Sequence, residues 1–113
     1  MAQGIYKITE TFEQMLCDYT GSPYAVAVDN QSNALFLALY YEKINGMEIT
    51  IPSRTYPSVP CEIIHAGGKV NFEPVEGKTI KGSYQLKPTK VWDSALSFDA
   101  DMYKSGTHMC LSF

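Results

Sequence analysis

The sequence predicts an α/β fold: a mostly parallel sheet covered on both faces by helices, three layers in all. Two observations predict it. Segments with helical apolar spacing alternate along the chain with short apolar runs of strand length, the order expected of helices crossing over between parallel strands. The first of those runs, "YAVAV", is apolar without alternation, as in a strand buried on both faces. The pattern fits one domain over residues 1–113, with no second, smaller domain.

Each element has its own signal. In "TFEQMLCDYTGS", Phe12, Met15, Leu16 and Tyr19 fall on one helical face. Thr11 and Gln14 have capping-box spacing, and Gly21 suits the C-terminal stop. "YAVAV" then gives a strand. "DNQSNALFLALYYEKING" gives a helix with Asn30 or Ser32 as N-cap, apolar nearly all round from Ala34 to Tyr41 and so largely buried, ending at Asn45-Gly46. "MEITIPS" is a strand. "TYPSVPCEIIHAGG" is a helix with prolines at its opening and glycines past its end. "KVNFEPV" is a strand. The polar stretch from Glu76 to Thr89 holds one short strand candidate, "GSYQL". "KVWDSALSF" reads as a strand ending at Asp93, "DADMYKSG" as a loop and "THMCLSF" as the last strand.

Composition excludes several functions. A net charge of −3 argues against non-specific nucleic-acid binding. The lysines between Lys78 and Lys90 are spread over a polar segment and read as a solvated loop or edge. Cys17, Cys61 and Cys110 are far apart, odd in number and set in apolar surroundings, which suggests reduced, buried thiols of a cytoplasmic protein. His65 and His108 lack neighbours at metal-ligand spacing, so no metal site is expected. The start has no signal-peptide pattern, and no apolar run approaches the ~20 residues that span a bilayer.

Ligands of open α/β sheets gather outside the carboxyl ends of the strands. The residues there are Asn30 to Asn33, Ser53 to Tyr56, Asp93 to Leu96, and Ser112. The unpaired N–H groups at the start of a helix, with the Ser32 hydroxyl, suit a phosphate; taken alone, that stretch favours plain N-capping. Asp93 at a strand end could pair with a cationic ring nitrogen or cap the following turn. Tyr56 could offer a flat face to a ring or fill the core. Ser112 could donate to a phosphate or be an ordinary polar residue at a strand end.

In order, these pieces resemble the N-terminal part of the DegT/DnrJ/EryC1/StrS aminotransferases, fold-type-I, pyridoxal-phosphate-dependent enzymes that mostly aminate keto-sugars attached to nucleotides. "YAVAVDNQSNALFLAL" is similar to the family's strand and phosphate-binding helix start. "ITIPSRTYPSVPCEIIHAGGKVNFEPV" resembles its second strand, P-S-x-T-aromatic turn, helix and next strand. "VWDSALSF" is similar to its D-x-A segment, and "GTHMCLSF" to its G-D-x-x-x-x-S-F strand. The resemblance covers about Phe12 to Phe113 and implies a truncated large domain of that fold.

The resemblance also implies roles. Ser32 and the backbone around Asn33 would hold the phosphate of pyridoxal 5'-phosphate, with Ser112 adding a hydroxyl. Tyr56 would stack on the ring, Asp93 would pair with its nitrogen, and Ala95 would leave room beneath it. The family's Schiff-base lysine follows its S-F strand within a few residues, and no lysine here has a matching context, so no catalytic residue is expected in this chain. It would be inactive alone and would need a companion chain carrying the lysine and the small domain. The alternative is a non-catalytic phosphate-binding or assembly module that kept the fold.

Departures from the family pattern favour that alternative: Gln31 and Asn33 replace a small Gly and Ala, Trp92 replaces an acid, and Leu96 replaces a polar residue. The segment from Val75 to Val91 is also shorter than in the family. A truncated sheet exposes apolar faces and a strand edge, so a homo-oligomer is expected.

Overall fold

The computed structural model describes residues 6–75 and 82–113. Helix α1 runs Lys7–Thr20, α2 Gln31–Tyr41 and α3 Ser58–His65. Strand β1 runs Glu48–Pro52, β2 Lys69–Glu73, β3 Gly82–Gln85, β4 Val91–Leu96 and β5 His108–Cys110. The α/β class is borne out. Part of the ambiguous stretch from Glu76 to Thr89, residues 76–81, lies outside the described residues.

Strands β1 and β2 pair in parallel, with Glu48 opposite Lys69 and Pro52 opposite Glu73. Their connection is α3, the crossover that parallel pairing requires. Strands β4 and β5 also pair in parallel, with Asp93 opposite Cys110. Strand β3 is antiparallel to β4 and places Tyr84 opposite Asp93. One antiparallel bridge between Thr50 and Lys87 ties the two groups of strands, through backbone hydrogen bonds of 2.8 and 3.1 Å.

The core lies where α2 and α3 meet the strands. Leu35 and Leu39 of α2, Val59 and Ile63 of α3, and Ile49 and Ile51 of β1 are all buried. Each such side chain contributes about 1.5–3 kcal/mol through burial. On β1 the buried residues alternate, as the pleat requires. Gly67 turns the chain out of α3 at φ 91°, and a Cβ there would lie 2.5 Å from Asn45 Oδ1, so only glycine fits.

Several expectations need correction. "YAVAV" is not a strand: no other strand lies beside it among the described residues, and Tyr24 and Val26 are 84% and 81% exposed. Instead of joining a ladder, the Ala27 N–H donates to the Glu13 carboxylate of α1 at 2.7 Å. The Thr11–Gln14 capping box does not form, because α1 starts earlier and Gln14 donates to Asp18 within the helix. Gly21 does close that helix, at φ 82°. Helix α2 is less buried than its composition suggests, since Leu37, Tyr40 and Tyr41 face outward. Strand β4 continues past Asp93 to Leu96, and β5 is shorter than "THMCLSF". Of the cysteines, all free, only Cys110 is buried; Cys61 is exposed on α3.

Candidate functional site

The fold gathers four segments around Asp93. This carboxylate sits in β4 and is 5% exposed. Its Oδ1 accepts from Gln31 Nε2 at 2.9 Å and from the Ala95 backbone N–H at 3.0 Å. Its Oδ2 accepts from the Tyr84 hydroxyl at 2.8 Å. That hydroxyl also shares a hydrogen bond with Thr55 Oγ1. The first residue of α2, the loop after β1, strand β3 and strand β4 are thus tied to one acid.

The local reasons are simple. Tyr84 and Asp93 face each other across an antiparallel pair, where side chains on one face meet. Gln31 opens α2, and that helix packs on β4 and β5, so its start falls beside β4 at Asp93. Tyrosine has one hydroxyl proton, and it goes to Asp93; Thr55 therefore donates to the Tyr84 oxygen. Burial pushes the Tyr84 pKa up, Thr55's hydrogen bond works against that, and the charge of Asp93 adds to the rise, so the phenol is a neutral donor at ordinary pH. Burial also pushes the neighbouring Cys110 thiol up to about 12, with the charge of Asp93 adding to it.

No ion pair reaches Asp93 among the described residues. A buried charge without a counter-ion is expensive unless hydrogen bonds compensate it. Three donors do so here, leaving one of the carboxylate's roughly four acceptor positions open, on Oδ2.

The helix start at α2 is capped. Asn30 Oδ1 accepts from the Asn33 N–H at 2.8 Å, and the Asn33 side-chain amide donates to Asp29 at 2.6 Å. Ser32 is half-buried and makes no side-chain hydrogen bond among the described residues. Ser112 is exposed and lies along a cleft of about 880 Å³ between residues 22–31, α1 and residues 106–113. Gln31 borders both that cleft and Asp93. Tyr56 is 72% exposed on the loop after β1, away from the core.

Of the residues singled out in the sequence, the structure joins Asp93 and Ala95 by a hydrogen bond. It brings no such bond between Ser32, Asn33, Tyr56 and Ser112. Sequence reasoning missed Tyr84. The available signal was the hairpin: once "GSYQL" and "KVWDSALSF" are paired across a short turn, a tyrosine falls opposite the acid. Gln31 was visible only as a bulky residue in a position where the family pattern has a small one.

Strands linked by a crossover helix, with an acid fixed mid-strand in one of them by the start of another helix, define an α/β protein, a class whose ligands gather at the sheet's carboxyl edge. The family comparison is more specific. The model of the DegT/DnrJ/EryC1/StrS aminotransferase family matches residues 2–92, and the chain belongs to this family. No curated protein and no solved structure matched. The family is generally dependent on pyridoxal phosphate. Among the described residues no cluster of side chains could hold a metal ion, and no helix is long and apolar enough to cross a membrane.

The residues present fit that cofactor chemically. Among the described residues the buried acid has no cationic partner, which suits a protonated ring nitrogen. The Ser32 hydroxyl at a helix start, unpartnered among the same residues, suits a phosphate.

Proposed function

We propose that residues 1–113 form the N-terminal part of the three-layer, fold-type-I large domain of an aminotransferase acting on keto-sugars carried by nucleotides. These residues supply the cofactor-facing strand ends, and the Schiff-base amine comes from outside them. The single observation that carries the reading is Asp93: a buried acid with no counter-cation among the described residues, held mid-strand in β4, at the carboxyl end of its parallel pairing with β5, by residues from other segments of a family member.

When bound, pyridoxal phosphate supplies an electron sink for the substrate carbon that loses its proton. Asp93 holds the ring nitrogen in its protonated form. Ser32 and the first N–H groups of α2 hold the phosphate, where the helix dipole adds about 0.3–1 kcal/mol. Ser112 adds a hydroxyl from the segment after β5, Tyr56 lays its exposed ring on the cofactor, and Ala95 leaves space beneath. Because no lysine of these residues has the family context, they do not transaminate alone. A companion segment or chain carrying the lysine and the small domain completes the enzyme, in the cytoplasm.

The test is binding of pyridoxamine phosphate, whose amine forms no adducts with surface lysines, followed by Trp92 fluorescence and calorimetry. Asp93→Asn and Ser32→Ala each weaken binding. Equal affinity in all three proteins would remove the basis for placing the cofactor here. It would favour the second reading, a non-catalytic module, to which the capped start of α2 already lends support.

A further inference from the structure

The Oδ2 of Asp93 is already engaged. Gln31 and the Ala95 N–H share Oδ1, and the Tyr84 hydroxyl takes Oδ2. At 5% exposure the acid has little open surface through which another donor could arrive. Tyr84 is itself held in place, because Thr55 donates to its oxygen and leaves its single proton aimed at the acid. The pair faces across the β3–β4 hairpin, so the hydroxyl reaches Asp93 without any movement of backbone.

We propose that Tyr84 is an internal stand-in for the cofactor's ring nitrogen: its hydroxyl satisfies Asp93 in the free chain and competes with ring binding at Oδ2. This inference rests on the cofactor reading of the site and adds a residue to it. Both partners would be hydrogen-bond donors to the same oxygen. The remaining acceptor position on Oδ2 is closed to a ring at 5% exposure, so the ring's N–H enters only as Tyr84 gives way, and the released hydroxyl must find water or Thr55. In Tyr84→Phe the free chain leaves Oδ2 without its donor, and a ring N–H restores it. Thr55 positions Tyr84 and acts only through it.

The sign of the effect separates this role from an ordinary structural one. A tyrosine that merely braces the site would weaken binding when its hydroxyl is lost. A competing tyrosine strengthens it. A hydrogen bond to a charged group corresponds to a factor of about 10 to 100 in an equilibrium, and Tyr84→Phe is expected to tighten binding within that range.

The probe is pyridoxamine phosphate, titrated by calorimetry into the wild-type chain, Tyr84→Phe and Asp93→Asn. Tighter binding by Tyr84→Phe, with loss of binding in Asp93→Asn, supports the proposal. Equal or weaker binding by Tyr84→Phe, with Asp93→Asn still impaired, overturns it and leaves the site assignment standing. No binding by wild type and Tyr84→Phe alike overturns both. A second measurement needs no variant to fold: in wild type labelled at the tyrosine ring carbon that bears the hydroxyl, the resonance of the half-buried Tyr84 moves as the probe binds. A resonance that stays fixed at saturation contradicts displacement.

Discussion

Raising the pH from 8 to about 10.5 should destabilise this protein, and Cys110 should carry much of the loss. The thiol is buried in β5, directly across from Asp93. Its pKa moves from 9.0 to about 12, through burial first and the charge of Asp93 second. In the unfolded chain the thiol ionises above pH 9.0, while in the folded chain it keeps its proton. The unfolded state then binds fewer protons than the folded one, so stability falls as pH rises. Full stability from this group is present below pH 9.0, and the loss grows until about pH 12.

One proton of difference gives a slope of about 1.4 kcal/mol per pH unit, so roughly 2 kcal/mol is lost by pH 10.5. Tyr84 adds to the loss above its ordinary value of 10.0, with the same sign. The assay is urea unfolding of wild type and Cys110→Ala at both pH values. The variant starts less stable, having lost a buried sulfur, but its drop on going to high pH should be smaller by about 2 kcal/mol. An identical drop in the two proteins would refute the argument that the thiol is held neutral beside Asp93.

Removing the acid itself has a different signature. Asp93→Ala strands the Gln31, Ala95 and Tyr84 donors together and should cost about 3 kcal/mol in urea unfolding at neutral pH, measured against wild type. Gly68→Ala places a Cβ 2.8 Å from Ile44 Cδ1 and 3.1 Å from Ile63 Cγ2, so about 1–3 kcal/mol should be lost in the same assay. We also propose self-association through the face that carries Tyr24, Val26 and Leu37, all exposed and apolar. Sedimentation should show a concentration-dependent oligomer that Val26→Lys weakens; a monomer at all concentrations would contradict this.

Much of the fold was legible because its signals are local. Asn30 caps α2, Gly21 stops α1, and the glycines after α3 turn the chain toward β2, each through chemistry within a few residues. "YAVAV" shows the limit of that approach. Its composition suits a buried strand, but a strand exists only through a hydrogen-bonded neighbour, and none lies beside residues 24–28 among the described residues. The same holds for α2, whose apolar outer face cannot be told from its inner one by composition alone.

At the site, Asp93 could be named from its resemblance to the family's aspartate, although the strand expected to end there runs on to Leu96. Tyr84 could not, because its role depends on pairing register between β3 and β4, and a shift of one residue would turn it to the opposite face. Gln31 reaches the acid across 62 positions of sequence, a contact made by the packing of α2 on β4. Its bulk stood out in the sequence, but its target did not.

The proposed function places the family's cofactor beside Asp93 and the start of α2. The most direct measurement is a map of backbone amide shifts in the labelled chain as pyridoxamine phosphate is added. The account predicts saturable changes centred on Gln31–Asn33 and Asp93–Ala95, with smaller ones at Thr55–Tyr56 and Ser112. Changes confined to other parts of the chain, or none at millimolar probe, would contradict it.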